Sequence, residues 1–443
     1  MTSFGRDPKK QLGVCLVDKY VVTGGNRLVG EVEISGAKNA ALAIVPAVAI
    51  CDEPCVIENL PDISDVRDMI GILRAMGAGV RFTDRHTAEI DPTTIFTNEV
   101  PYEPACRIRG SYYLIGAFLS RCHSSLAPLP GGCDFGVRPI DQHLKGFTAL
   151  GCSYSLENAM IEVKTDALIG ANIYLDVVSV GATINIMLAA VKAKGLTVIE
   201  NAAREPHVVD VANMLNMMGA DIRGAGTDTI KIRGVDYLHG VTYSVIPDQI
   251  EAGTYMVAAA ATHGDVLVTN VIPKHLESIT AKLVEMGVEI IENDDSVRVR
   301  RTKPLNKCNV KTMPHPGFPT DMQPQIAVLL SLAQGTSIIT ESVWDNRFRY
   351  MEELRRMGAQ ISVDGKLAVI EGVEKLKCAP VRATDLRAGA AMVIAALATE
   401  GTSTSEEVQR IERGYEDMIA KLRGLGADIY RKVDPASMNT HVG

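Results

Sequence analysis

Six copies of one short signature constrain this chain more than any other feature it carries. An apolar helix end, then Met or Leu, then Gly, then a small or apolar residue leading into alternating sequence, recurs throughout. The copies are Ala75-Met76-Gly77-Ala78, Ala149-Leu150-Gly151-Cys152, Met217-Met218-Gly219-Ala220, Glu285-Met286-Gly287-Val288, Arg356-Met357-Gly358-Ala359 and Gly424-Leu425-Gly426-Ala427. Their glycines stand 74, 68, 68, 71 and 68 residues apart, so one supersecondary unit is reused six times. Glycine suits the position because a helix C-terminus ends in the left-handed conformation, which costs a residue without a side chain little.

Each unit carries two helices of opposite character. One is amphipathic and ends at the signature, as at residues 211–218, so one of its faces is solvated. The other is almost wholly small and apolar, and its copies begin near Lys38, Arg109, Val180, Glu251, Asp321 and Arg387. A helix that is apolar all round must be buried on all sides. Between them runs a strand, as in Thr197-Val198-Ile199-Glu200-Asn201. A chain of 443 residues is too long for one core. Three units closing around three buried helices, twice over, give an α/β protein of two similar lobes.

Composition narrows the partners. Lys and Arg number 45 against 53 Asp and Glu, a net charge of −8, and aromatics are only 5%. Neither a general attraction to nucleic acid or an anionic membrane nor a base-stacking surface is expected. Residues 40–50, the longest apolar run, are too few to span a bilayer. No secretory signal is read in residues 1–10, and nine cysteines without C-x-x-C pairs fit neither a disulfide framework nor a zinc ribbon. A cytoplasmic chain with reduced thiols is expected, and any anionic ligand must find locally concentrated cations.

Those cations stand at the starts of the buried helices. Asp321 and Asp385 there read first as caps. Lys38, Arg109 and Arg387 oppose the helix dipole and need another reason, which an anion site would supply. The second anomaly is the loop Leu129-Pro130-Gly131-Gly132-Cys133-Asp134-Phe135-Gly136-Val137-Arg138-Pro139-Ile140-Asp141, which lies in the longest repeat interval. Cys133 beside Arg138 reads either as a proton-donating thiol of lowered pKa or as an inert loop cysteine. The histidines lack metal-ligand spacing, so His143 and His315 are read as structural. Gly224-Ala225-Gly226 opens no helix and is read as a turn rather than a dinucleotide fingerprint.

Several segments in order carry a resemblance. They are Ser35-Gly36-Ala37-Lys38-Asn39-Ala40-Ala41, Pro130-Gly131-Gly132-Cys133 with Gly136-Val137-Arg138-Pro139, and Glu200-Asn201-Ala202-Ala203-Arg204-Glu205-Pro206. Further along come Pro314-His315-Pro316-Gly317-Phe318-Pro319-Thr320-Asp321-Met322-Gln323, Ala383-Thr384-Asp385-Leu386-Arg387 and Arg413-Gly414-Tyr415-Glu416. Over residues 25–430 the chain resembles the UDP-N-acetylglucosamine 1-carboxyvinyltransferases, a family of enolpyruvyl transferases. The resemblance implies two inside-out α/β barrel lobes of three repeats each, with the active site in the cleft between them. Residues 38–246 would form the lobe carrying the cysteine loop, and residues 1–37 with 247–443 the other.

The family's reaction moves the enolpyruvyl group of phosphoenolpyruvate to the 3′-hydroxyl of UDP-N-acetylglucosamine and releases phosphate. It is the first committed step of peptidoglycan synthesis, and so bears on cell shape and division. The resemblance implies that Lys38, Asn39, Arg138, Arg347 and Arg413 hold phosphoenolpyruvate. Cys133 is the implied proton donor and point of fosfomycin attack, Asp321 takes the hydroxyl proton, and Asp385 is a second carboxylate near the reaction. Arg109, Arg138, Pro139, Ile140, Asp141, Gln142, Ser179, Val180, Gly181, Asp321 and Val343 would line the sugar nucleotide. Neither metal nor cofactor is implied, and a monomer is expected.

The chain departs from the family pattern at a few places. Val177 stands where some members have a lysine reaching the nucleotide, and Gln249 replaces a usual arginine. Arg410 and Glu412 replace a usual histidine and aspartate, and His207 stands where an acidic residue is common. These leave two alternatives: a paralogue using another acceptor, or a non-catalytic sugar-nucleotide-binding regulator. The intact cysteine loop and both carboxylates argue against the regulator.

Overall fold

The structure, a computed structural model, describes residues 18–129 and 140–433. All six signature glycines have left-handed backbone, with φ between 88° and 108°. At the first, the Gly77 amide donates to the Arg74 carbonyl at 3.0 Å and the Ala78 amide to that of Leu73 at 2.9 Å. The same pair of bonds closes the helices that end before Gly151, Gly219, Gly287, Gly358 and Gly426. The residues joined by the longer loop are apolar each time, as Ala78 with Leu73 or Val288 with Leu283, so a packing contact accompanies the cap.

The all-apolar stretches form the buried helices α1 (Lys38–Val48), α2 (Tyr113–Cys122), α3 (Val180–Ala190), α4 (Gln249–Ala261), α5 (Gln323–Ser331) and α6 (Leu386–Leu397). Every residue of α6 is buried. The outer helices behave differently: Pro273–Glu285 buries Leu276, Ile279 and Leu283, a stripe at helical spacing. Short 3₁₀ turns, Arg109–Tyr112 and Thr320–Met322, lead into α2 and α5.

Each unit also builds a sheet, and the third unit shows the plan whole. Asn172–Tyr174, just before α3, runs parallel to Leu196–Glu200, just after it. That strand pairs antiparallel with Thr229–Arg233, which pairs in turn with Asp221–Arg223. The second unit keeps only a bridge, Glu99 to Leu126, in place of its leading strand.

Units one and four exchange their leading strands. Val29–Glu33 precedes α1 yet lies parallel to Asp265–Thr269, while Thr242–Ser244 precedes α4 yet lies parallel to Cys55–Glu58. In the sixth unit Lys19–Gly24 fills the place of a hairpin strand, between Gly401–Glu406 and Asp428–Lys432. The exchanging segments pass each other antiparallel. Gly36 bridges Pro247, the Ala37 amide donates to the Ile246 carbonyl at 2.7 Å, and the Asp248 amide to that of Ser35 at 2.9 Å. A Cβ on Gly36 would lie 1.8 Å from the Asn59 carbonyl oxygen, so this crossing admits only glycine there.

Buried apolar side chains fall into two clusters. One spans residues 37–245; the other joins residues 20–34 to residues 250–429. Within each, the buried helices pack on one another. Among the described residues no helix is long and apolar enough to cross a membrane, and the described cysteines are all free thiols.

Candidate functional site

The strand crossing positions the first functional side chain. Lys38 opens α1 directly after the crossing, with its amide donating to the Asp248 carboxylate at 3.2 Å. Asp248 meanwhile caps α4 by accepting from Ile250 and Glu251 at 2.7 and 3.2 Å. One buried carboxylate thus ties together the starts of two helices from different cores. A lysine at a helix start works against the dipole by roughly 0.3–1 kcal/mol. Lys38 is compensated by Asp65, whose Oδ2 lies 2.8 Å from Nζ.

Asp65 also receives a cation from the second core. Arg413 Nε donates to its Oδ1 at 2.8 Å and Nη2 to its Oδ2 at 3.3 Å, while Nη2 also reaches the Arg107 carbonyl at 3.1 Å. Burial alone would raise the Asp65 carboxyl, but Lys38 and Arg413 outweigh it and hold it below the ordinary carboxylate value.

The remaining residues of the Arg413 turn have separate tasks. A Cβ on Gly414 would come within 2.6 Å of Leu386 Cδ2 and 3.1 Å of Lys38 Cδ, so the missing side chain lets the turn lie against Lys38. Tyr415 places its ring 5.3 Å below the Arg387 guanidinium and bonds Thr254 through its hydroxyl at 3.0 Å. Glu416 accepts from the Asp62 amide at 3.0 Å and meets His86 Nε2 at 2.7 Å.

A second carboxylate sits between two cations on the other core. Asp321, on the 3₁₀ turn before α5, lies 3.2 Å from Arg387 Nε and 3.6 Å from Arg347 Nη2. Both arginines are buried, whereas the Asp321 side chain is 31% exposed and so faces the open side of the cluster. Burial pushes its carboxyl up; Arg387, then Arg347, then Lys38 reverse this and hold it below the usual range. The action of Lys38 on Asp321 means the two cation–carboxylate–cation triplets form one electrostatic site. Each triplet carries one more positive than negative charge, which suits a small polyanion.

Asp385 behaves as the cap reading anticipates. Its Oδ1 accepts from the amides of Arg387 and Ala388 at 2.9 and 3.1 Å, opening α6. Its Oδ2 has Thr384 Oγ1 at 3.4 Å, at the edge of bonding distance. Asn39, next to Lys38, lines a crevice shared by the two cores together with His207, Gln249 and His275.

The residues expected around a nucleotide also gather. The Arg109 guanidinium lies 5.6 Å from the Tyr112 ring and 6.0 Å from that of Trp344, which reaches across from the other core. Val343 precedes that tryptophan and is exposed. Ser179 caps α3 through the Ala182 amide at 3.3 Å, and Val180 and Gly181 are half-buried behind it. A Cβ on Gly181 would meet the Tyr112 hydroxyl at 2.5 Å and His143 at 3.1 Å. His143 is buried and bonded to Asn185 at 3.1 Å; burial and Arg109 bring its pKa down to about 3. It is therefore neutral and supplies no charge to an anion.

Gln142 is buried, donating to Asp141 at 2.9 Å and to Asp176 at 3.1 Å, and Ile140 packs beside it on the first core. Cys133, Arg138 and Pro139 lie outside the described residues. Of the departures, Val177 is 58% exposed, while Arg410 donates to the Thr384 carbonyl at 2.9 Å beside Asp385. Glu412 accepts from Tyr20 and from Arg431 at 3.1 and 2.9 Å.

Asp65, Glu341 and Trp344 are given no role by the sequence, while Glu416 and Arg387 enter as members of the resembling segments, Arg387 also as a helix-start anomaly. An aspartate in the first turn of a helix, as Asp65 is, looks like an ordinary helix-dipole partner. Glu341 left a readable signal: it continues the inward positions Ser337 and Ile339 of its strand, and an inward carboxylate demands partners.

Known proteins resemble this chain throughout. The family described as EPSP synthase (3-phosphoshikimate 1-carboxyvinyltransferase) matches residues 22–422. A UDP-N-acetylglucosamine 1-carboxyvinyltransferase 3 of Caldanaerobacter subterraneus subsp. tengcongensis is 60% identical over 415 residues, 94% of this chain and 99% of that one. A UDP-N-acetylglucosamine 1-carboxyvinyltransferase of Clostridium botulinum is 56% identical, with 94% and 100% covered. Among solved structures, the enolpyruvyl transferase NikO of Streptomyces tendae superposes with a TM-score of 0.86 at 30% identity, covering 95% and 100% of the two chains. An EPSP synthase of Acinetobacter baumannii shares the fold at a TM-score of 0.77 and 18% identity, covering 94% and 100%.

Proposed function

The chain belongs to the EPSP synthase family of enolpyruvyl transferases, and on that premise we propose that it is a UDP-N-acetylglucosamine 1-carboxyvinyltransferase. It transfers the enolpyruvyl group of phosphoenolpyruvate to the 3′-hydroxyl of UDP-N-acetylglucosamine and releases phosphate. The observation that carries the reading is the convergence of Lys38 and Arg413, from different cores, on buried Asp65, beside Asp321 held between Arg347 and Arg387.

The net change replaces phosphate by the sugar oxygen at C2 of the enol. Oxygen attack at C2 requires a proton on the methylene carbon, because the π electrons must end in a C–H bond. Phosphate then leaves C2 as a methyl proton departs, restoring the double bond. In this reading Lys38, Arg413 and Arg347, with Asn39 and Arg138, hold the trianion. Asp321 accepts the hydroxyl proton, Cys133 supplies the carbon proton, and Asp385 orders the start of α6 beside them. Arg109, Pro139, Ile140, Asp141, Gln142, Ser179, Val180, Gly181 and Val343 line the nucleotide side.

The two cores are taken as lobes of residues 38–246 and of residues 1–37 with 247–443, with substrate between them. The enzyme acts as a cytoplasmic monomer in cell-wall synthesis. Acceptor identity is tested by a panel with phosphoenolpyruvate as common donor. UDP-N-acetylglucosamine should exceed shikimate 3-phosphate and other hydroxyl acceptors by about 10³-fold or more in kcat/KM. Comparable values for another acceptor would reassign the enzyme to that substrate.

A further inference from the structure

One heavily bonded carboxylate near the site belongs to a residue with no part in the reaction as described. Glu341 follows the strand Thr336–Thr340 and is 1% exposed. Its Oε2 accepts from Thr320 Oγ1 and Gln323 Nε2, both at 3.0 Å. Its Oε1 accepts from the backbone amides of Val343 and Trp344 at 2.8 and 3.1 Å. One oxygen thus holds the turn that bears Asp321, and the other holds the loop that carries Val343 and Trp344.

The network extends further. Gln323 accepts from the Tyr350 hydroxyl at 2.7 Å, and Tyr350 ends the turn Arg347–Tyr350 that begins with Arg347. Trp344 faces Arg109 of the other core at 6.0 Å. Glu341 therefore stands between the segment that meets the acceptor and the segment that carries its base. The strand end does not depend on it: the Glu341 amide donates to the Lys366 carbonyl at 2.8 Å, and the Ser342 amide to Thr312 Oγ1 at 3.0 Å. The carboxylate supplies a direct link between the Asp321 turn and the Val343–Trp344 loop.

We propose that Glu341 is a positioning residue that makes the acceptor-contacting loop and the Asp321 turn one rigid unit, so that seating the sugar nucleotide sets the base. The proposal rests on the transferase reading above.

Trp344 is the only tryptophan in the chain, so its fluorescence reports this loop alone. Glu341→Gln keeps the side chain's size but sets an amide donor against donors. It should lower kcat and raise the KM for UDP-N-acetylglucosamine, each roughly 10- to 100-fold, since small misplacements of reacting groups cost that much. The KM for phosphoenolpyruvate should rise much less than that for UDP-N-acetylglucosamine, because Lys38 and Arg413 are untouched and Arg347 is joined to Glu341 only at one remove, through Tyr350 and Gln323. Trp344 emission should shift to the red and become more quenchable by acrylamide. Wild-type kinetics in Glu341→Gln, equal losses for both substrates, or lost activity with unaltered Trp344 emission would each overturn the proposal. Thr320→Val removes one of the four bonds and should reproduce the pattern more weakly if Glu341→Gln does not fold. A wild-type enzyme lacking acceptor-dependent phosphate release would instead refute the transferase reading.

Discussion

Replacing Asp321 by asparagine should lower kcat roughly 10²- to 10⁴-fold, the range for loss of a positioned general base. An amide cannot take the hydroxyl proton, whereas it keeps nearly the same shape between Arg347 and Arg387. Phosphoenolpyruvate should bind as well or more tightly, because one negative charge has left the site proposed to hold this trianion. The pH dependence follows from the direction of the Asp321 shift. Its carboxyl is held below the usual value by Arg387 and Arg347, against the effect of burial. The base form therefore persists as pH falls, and activity lost through its protonation appears only below about pH 4, the ordinary carboxylate value. An acid limb near neutrality would belong to another group, and wild-type kcat in Asp321→Asn would remove Asp321 from the role of base.

Cys133→Ala should cause a loss of similar size, by removing the proposed acid rather than the proposed base. A thiol carries one S–H proton, which it can give to carbon as the C–O bond forms. Alanine leaves nothing to protonate the methylene, while binding of the sugar nucleotide, measured by calorimetry, should be kept. Cys133→Asp restores an acid, but one mostly ionised at pH 7, so its turnover should rise as pH falls toward about 4. The same variant should resist alkylation by an epoxide phosphonate, which needs a thiolate nucleophile. Unchanged turnover in Cys133→Ala would mean that another group protonates the carbon.

The parts of the fold that were legible from sequence are those fixed by local chemistry. Glycine at each signature and an apolar residue on either side of it suffice for the cap, and all six caps formed. The all-apolar stretches likewise had no option but burial. The leading strands are different: three residues such as Thr242–Ser244 carry too little pattern to read, and their pairing is decided by distant partners. The exchange between units one and four is such a tertiary choice, as is the insertion of Lys19–Gly24 into the last sheet.

The site shows the same division. Lys38 and Arg387 announced themselves because cations at helix starts are locally unfavourable, and both turned out to face carboxylates. Asp385 was visible as a cap and is one. Asp65 was hidden, because its meaning comes from Arg413, 348 residues away. A chain negative as a whole still carries a locally positive site, because Asp65 and Asp321 each hold two cations.

Coupling between the two substrates decides whether the chain is this transferase. Phosphate release from phosphoenolpyruvate by purified enzyme should require UDP-N-acetylglucosamine and should match, one for one, the enolpyruvyl sugar nucleotide formed. Phosphate released at the same rate without the sugar nucleotide would contradict it.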